Sequence, residues 1–157
     1  MTTHPNVQAI DAILEAAGLP GRVQILPEAA PTAASAAGQL GVEVGAIANS
    51  LIFVTDSDEP VLVLTSGAHR VDTKRAAAAL GVGALNRADA DTVYAATGQR
   101  IGGVAPVGHP APLRTLIDVD LAQYPQIWAA GGIAHAVFPI TYGDLRELTA
   151  AVATEVA

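Results

Sequence analysis

Two apolar runs, Ile47–Thr55 and Val61–Thr65, constrain this chain most. Both are rich in Val, Ile, Leu and Phe, the residue types that favour strands. The polar stretch Asp56-Ser57-Asp58-Glu59-Pro60 between them reads as a turn, so the two runs form a hairpin. Asn49-Ser50 breaks the first run with two polar side chains. An unpaired buried polar group costs about 1–3 kcal/mol. The pair therefore sits at the mouth of a cavity or is satisfied by a neighbouring strand.

Helices are expected on both sides of the hairpin. His4-Pro5-Asn6 opens the first, with Val7, Ile10, Ile13, Leu14 and Ala17 at helical spacing and Gly18 as its stop. Arg22–Leu26 alternates like a short strand. Thr32–Leu40 is an alanine-rich helix with Thr32 as N-cap and Gly41 at its C-terminal end. Val71–Leu80, with Asp72 near its start, and Asp89–Thr97 read as two more helices. Strands follow at Leu113–Val119 and Ile127–Ala130, with a turn or short helix at Asp120–Tyr124 between them. Ala136–Ile140 reads as the last strand, and a final helix, Tyr142–Val156, is capped by Thr141. Strands and helices interleave without strict β-α-β alternation. The expected class is α+β: a mixed sheet or partly closed β-barrel with flanking helices, in one domain over residues 1–157.

Between the fourth helix and the next strand lies Gly98–Pro112, with four glycines and three prolines by position. Proline removes a ladder donor and glycine offers nothing to pack, so this is a shaped loop rather than an element. Such a loop is either a tight connection or a place where backbone approaches a ligand closely. Its spacing Gly102-x-x-x-Pro106 is distinctive.

Several chemistries are absent from the sequence. There is no dinucleotide fingerprint, no P-loop and no Gly-x-Ser-x-Gly elbow. The absence of cysteine excludes a thiol nucleophile and thiolate metal sites. His69, His109 and His135 lack zinc-type spacing, so neither a metal nor a cofactor is expected. The net charge of −7 argues against a wide duplex-binding face but leaves room for a small basic patch. The densest basic cluster is His69 to Arg75, with Arg70, Lys74 and Arg75; a solvated helix face is its simplest reading. Val44–Val54 is too short to span a membrane. The N-terminal Met-Thr-Thr-His-Pro-Asn lacks the basic and apolar regions of a signal peptide, and the expected location is the cytoplasm.

Taken together, a set of short motifs resembles the YbaK-type and prolyl-tRNA-synthetase-associated editing domains. They are Thr32-Ala33 with Leu40-Gly41-Val42, Ile47-Ala48-Asn49-Ser50-Leu51, Gly67 with Arg70-Val71-Asp72, Thr97-Gly98, Ile101 to His109, Ile117-Asp118, and Ala130-Gly131-Gly132. The resemblance implies hydrolysis of the ester between an amino acid and the 3′ end of a tRNA. It implies that backbone amides of the Gly-x-x-x-Pro loop hold the aminoacyl group, and that a hydroxyl of the terminal ribose helps place the attacking water. On that reading Gly102, Gly103, Pro106 and Asn49 carry the reaction. Ser50, Val104, Ala105, Gly108, His109, Gly131, Gly132 and His135 contact the substrate, and Arg70 and Lys74 meet the tRNA phosphates. The implied partners are the 3′ end of an aminoacyl-tRNA and an aminoacyl-tRNA synthetase. The sequence departs from the family at Asn49, where relatives hold a lysine, at Ala130, where they hold a serine, and at Val137, which aligns with an acidic residue. A non-catalytic relative using the same pocket to bind an aminoacyl group, a nucleotide or a partner protein is the alternative function.

Overall fold

The computed structural model describes residues 4–157. Met1, Thr2 and Thr3, part of the stretch read above for a signal peptide, lie outside the described residues. The expected hairpin is present: β2 (Ile47–Thr55) pairs antiparallel with β3 (Pro60–Ser66). β1 is Gln24–Ile25, β4 Leu85–Arg87, β5 Arg114–Asp118, β6 Ile127–Ala130, β7 Ala136–Ile140 and β8 Val152–Thr154. The eight strands form one mixed sheet in the order β1-β7-β6-β2-β3-β5-β8, with β4 as a second partner of β2. Its ends, β1 and β8, do not pair with each other, so the open sheet rather than the barrel is realised.

Five α-helices flank the sheet: α1 (Pro5–Ala16), α2 (Ala33–Leu40), α3 (Thr73–Leu80), α4 (Ala90–Thr97) and α5 (Tyr142–Thr149). Their starts follow from capping side chains. Thr32 accepts from Ser35 N, Asp72 from Lys74 N and Arg75 N, Asp89 from Thr92 N, and Thr141 from Asp144 N. The hydrogen bond from Thr92 N holds the exposed Asp89 carboxyl below its ordinary range.

The final helix differs from its expected span. It stops at Thr149, Ala150 takes a left-handed conformation with φ 52°, and Val152–Thr154 becomes β8, paired parallel to β5. Val152 fits a helical stripe with Leu145 and Leu148, but the open edge of β5 wins; a free sheet edge overrides weak local preference. Ala136–Ile140 is therefore not the last strand. The short β4 also goes unread in the sequence.

Both faces of the central strands are buried, which is why their sequences are continuously apolar. Alternate residues of β2 go to opposite faces. Ala48 and Ile52 join Ile10 and Leu14 of α1, Val93 of α4 and Leu145 of α5 on one face. On the other face Ile47 packs with Ala33, Ala36 and Ala37 of α2, while Phe53 packs with Ala76, Ala77 and Leu80 of α3. The middle of β2 thus lies between two separate clusters on that second face.

Candidate functional site

β2 changes neighbours along one edge. β6 pairs with it only at Ile47 and Ala48, and β4 only from Phe53 to Thr55. The stretch Asn49–Ile52 lies in the split between them. Main-chain direction alternates along a strand. Ile47 O accepts from Gly67 N on the β3 side, and Ile52 O accepts from Ala88 N on the opposite side. The N–H and C=O of Ser50 share the direction of Ile52 and point into the split.

A cavity of about 770 Å³ opens there. Asn49 lies on the face between α2 and α3, and Ser50 on the opposite face; the split lets one cavity reach both. Ser50 Oγ is buried and has no hydrogen-bond partner among the described residues. No described residue bonds the side-chain amide of Asn49, which is half-buried in the cavity wall. Much of the remaining wall is small and apolar, including Ala88, Ala129, Ala130, Ala134 and Val137. Ala130 and Val137, two of the positions that depart from the resembled family, thus face the cavity. Among the described residues its wall carries no carboxylate.

The glycine-rich loop covers part of this cavity through Ile101, Gly102 and Val104. It is built around a residue the sequence reading missed, the buried Gln99. Gln99 Nε2 donates to Val107 O at 3.3 Å, and its Oε1 accepts from Ala105 N at 2.6 Å. His109 Nε2 donates to Ala105 O at 2.9 Å, which fixes the neutral tautomer. Burial pushes His109 below the ordinary imidazole value, and the bond to Ala105 only partly opposes this. The amides of Gly103 and Ala105 are committed, to Arg100 O and to Gln99. Those of Gly102 and Val104 meet no acceptor among the described residues.

The two loop glycines differ in kind. Gly102 has φ +96°, and a side chain there would face open space. At Gly103 an added Cβ would lie 2.5 Å from Ile133 C and 2.7 Å from its Cα, so this glycine lets the loop dock on the turn after β6. In that turn Gly131 packs against Val23 and Ala136, and Gly132 against Asn6, whose Nδ2 donates to Gly132 O.

The structure thus brings Asn49, Ser50, Arg70, Gly102 and Val104 to one cavity. Gly103 and Gly132 line a second cavity of about 410 Å³ on the other side of the loop. Ala105 and Pro106 are buried behind the loop, Gly108 packs near Ile10 Cδ1, and His109 is half-buried beside Ala105. Gly131 is buried; His135 is exposed, and Lys74 is exposed on α3; none of these three lines either cavity.

A latch holds the wall that carries Arg70. His69 Nδ1 lies 2.9 Å from Asp118 Oδ2, and its Nε2 lies 3.0 Å from Asp120 Oδ2. The buried Asp118 also accepts from Ser66 N at 3.0 Å and Asp120 N at 3.0 Å. These three side chains have the type and spacing to ligate a cation, their ligand atoms lying within 4.8 Å of one another. They are instead bonded to each other and to the backbone, which ties the loop before α3 to the end of β5. The 49-residue separation of His69 and Asp118 hides the pair from a linear reading.

Residues 27–148 match the family described as the aminoacyl-tRNA editing domain. The chain is 29% identical over 118 residues to YwhH of Bacillus subtilis (strain 168), covering 75% of this chain and 74% of that one. It is 28% identical over 126 residues to the “Putative Cys-tRNA(Pro)/Cys-tRNA(Cys) deacylase EbsC” of Enterococcus faecalis, covering 75% and 77%. A crystal structure described as that of “a putative trans-editing enzyme for prolyl tRNA synthetase” superposes with a TM-score of 0.91 at 38% identity, covering 99% of this chain and 98% of the other. The chain belongs to the aminoacyl-tRNA editing domain family.

Proposed function

We propose that this protein is a trans-acting deacylase that hydrolyses the ester of a mischarged aminoacyl-tRNA, with the aminoacyl end seated in the larger cavity. The observation that carries this reading is the unpartnered Ser50 hydroxyl, buried in the split of the sheet and opening on the same volume as Gly102 and Val104. A polar atom left without a partner in the free protein suits a ligand that supplies one.

In the proposed reaction, water attacks the ester carbonyl carbon. The carbonyl oxygen gains charge, and on this reading the amides of Gly102 and Val104 donate to it. The carbon–oxygen bond to the ribose then breaks, the ribose oxygen takes a proton, and the free amino acid leaves. Among the described residues the cavity wall holds no carboxylate, and His69, which also lines it, is clamped between two aspartates. Both features support a reaction in which the neighbouring ribose hydroxyl, rather than a side-chain base, orders the water. Asn49 offers a neutral donor and acceptor where relatives offer a charge. On this reading the protein works in the cytoplasm alongside an aminoacyl-tRNA synthetase.

The test is a panel of tRNAs, each charged with a different labelled amino acid and incubated with the protein. Release of one or a few amino acids, weakened in Ser50→Ala and more strongly in Gly102→Ala, supports the proposal. Binding without release across the panel overturns it in favour of a non-catalytic relative.

A further inference from the structure

Three arginines surround the cavities of a protein whose net charge is −7. Arg70 and Arg87 line the larger cavity, and Arg100 lines the second. Elsewhere Arg75 pairs with Asp72 and Glu155, and Arg114 with Glu59. None of the three at the cavities pairs with a described carboxylate. An acidic protein that leaves unneutralised guanidinium groups at two adjoining cavities concentrates positive potential there.

Beside Arg100 is an exposed aromatic ledge. Val93 and Thr97 are the buried face of α4, so Tyr94, one residue round from Val93, points outward and is 52% exposed. The chain turns at Gly98, Gln99 is held in the core, and Arg100 returns to lie 5.1 Å from the centre of the Tyr94 ring. Ile101, 55% exposed, continues the ledge. Ile101 and Ala134 line both cavities, so the ledge is continuous with the larger one across the Gly102–Gly103 strap.

We propose that Tyr94, Arg100 and Ile101 form a stacking ledge for the nucleotide preceding the terminal adenosine of an RNA 3′ end, with Arg87 and Arg100 facing its phosphates. This rests on the deacylase reading and extends it to the RNA. An aromatic ring with a guanidinium beside it is the chemistry that binds unpaired bases irrespective of sequence. One ring and three arginines suit one or two nucleotides of a single strand, not a duplex.

The probe is a 5′-fluorescein-labelled ACCA ribonucleotide without any amino acid, with binding read by fluorescence anisotropy. Tyr94→Ala should weaken binding by roughly 10-fold or more, since stacking on one aromatic side chain has that magnitude. Tyr94→Phe should keep it, and Arg100→Ala should weaken it and lower the salt slope by about one. Arg146→Ala, outside both cavities, is the control and should change nothing. Because Tyr94 and Arg100 are exposed, thermal melting should show all variants folded. Wild-type protein that does not bind ACCA at millimolar concentration, or ACCA binding indifferent to Tyr94→Ala and Arg100→Ala, overturns the ledge. The probe carries no ester, so the two readings fail separately. Tyr94-dependent binding by a protein that releases no amino acid keeps the ledge and removes the deacylase. Release of amino acid with ACCA binding unaffected by Tyr94→Ala does the reverse.

Discussion

Replacing Ser50 with alanine should make this protein more stable and less active at once. Ser50 Oγ is buried and meets no hydrogen-bond partner among the described residues. An unmade buried hydrogen bond costs about 1–3 kcal/mol. Alanine keeps the Cβ, removes the orphaned oxygen and leaves the main-chain groups of residue 50 in the split. A gain at the lower end of that range, about 1 kcal/mol, is expected because the removed atom also gave up some packing contacts. For a chain of this length that corresponds to a rise in Tm of roughly 2–4 °C.

Activity should move the other way. If the hydroxyl finds its partner in the substrate, removing a neutral hydrogen bond of about 0.5–1.5 kcal/mol lowers kcat/KM on the preferred aminoacyl-tRNA by roughly 2- to 10-fold. Urea unfolding followed by far-UV circular dichroism gives the first number and single-substrate deacylation the second. Trp128, the chain's one tryptophan, stands in the cavity wall, and its fluorescence reports whether the site itself is disturbed. A variant less stable than wild type by 1 kcal/mol or more, with deacylation intact, would falsify the reasoning, because the hydroxyl would then be a structural bond rather than a ligand contact.

Other perturbations separate the parts of the loop and cavity. Gly103→Ala drives a Cβ into the backbone of Ile133 and should destabilise by about 1–3 kcal/mol, visible as a lowered urea midpoint. Gly102→Ala keeps the amide but strains φ +96° by about 1–2 kcal/mol; relaxing that strain turns the amide, and turnover should fall by up to roughly 10²-fold, the cost of one lost donor, if that amide holds the carbonyl oxygen. Burial keeps His109 below the ordinary imidazole value, so the unfolded chain binds the proton first as pH falls. Its contribution to stability is therefore complete above about pH 6.5 and disappears as pH drops through the folded value; urea melts at pH 8 and 5.5 should show a slope that His109→Gln flattens. Asn49→Lys places an ammonium in a half-buried cavity wall, not in a sealed core. It should cost under about 1 kcal/mol and shift which amino acid is released; a loss of several kcal/mol with an unchanged substrate profile would retire that reading.

What the sequence disclosed depended on the range of the interaction. Thr32 and Thr141 were legible as caps because each acts within three residues; Asp72 and Asp89, legible only as lying at the starts of their helices, cap them too. The hairpin was legible because its turn and both apolar runs are contiguous. β4 and β8 were not, since three-residue edge strands exist only through the partners they find in β2 and β5. Gly102 and Gly103 look identical in a linear chain, and only the approach of Ile133 distinguishes a conformational glycine from a packing one. Gln99 was overlooked because a glutamine after a helix usually faces water; here its amide replaces a strand partner for Ala105 and Val107. Arg87 and Arg100 escaped notice because they are isolated in sequence, and only the fold brings them to the cavities near Arg70.

The location of the cavity follows from one topological choice. A strand that receives β6 along its first two residues and β4 along its last three must leave main-chain groups unpaired between them. Interior strands rarely tolerate this, because buried N–H and C=O groups demand partners. Small residues around the gap, Ala48, Ala88, Ala129 and Ala130, leave it open instead of letting side chains fill it. The glycine loop covers it without entering, because Gln99 and His109 hold the loop from behind. Ser50 then presents an N–H, a C=O and a hydroxyl to one empty volume, whereas a fully paired strand would present only the hydroxyl. Narrowing the split with a larger side chain at the half-buried Ala130, as in Ala130→Leu, should thus lower amino-acid release while the urea midpoint stays near that of wild type, because the ladder never depended on that gap.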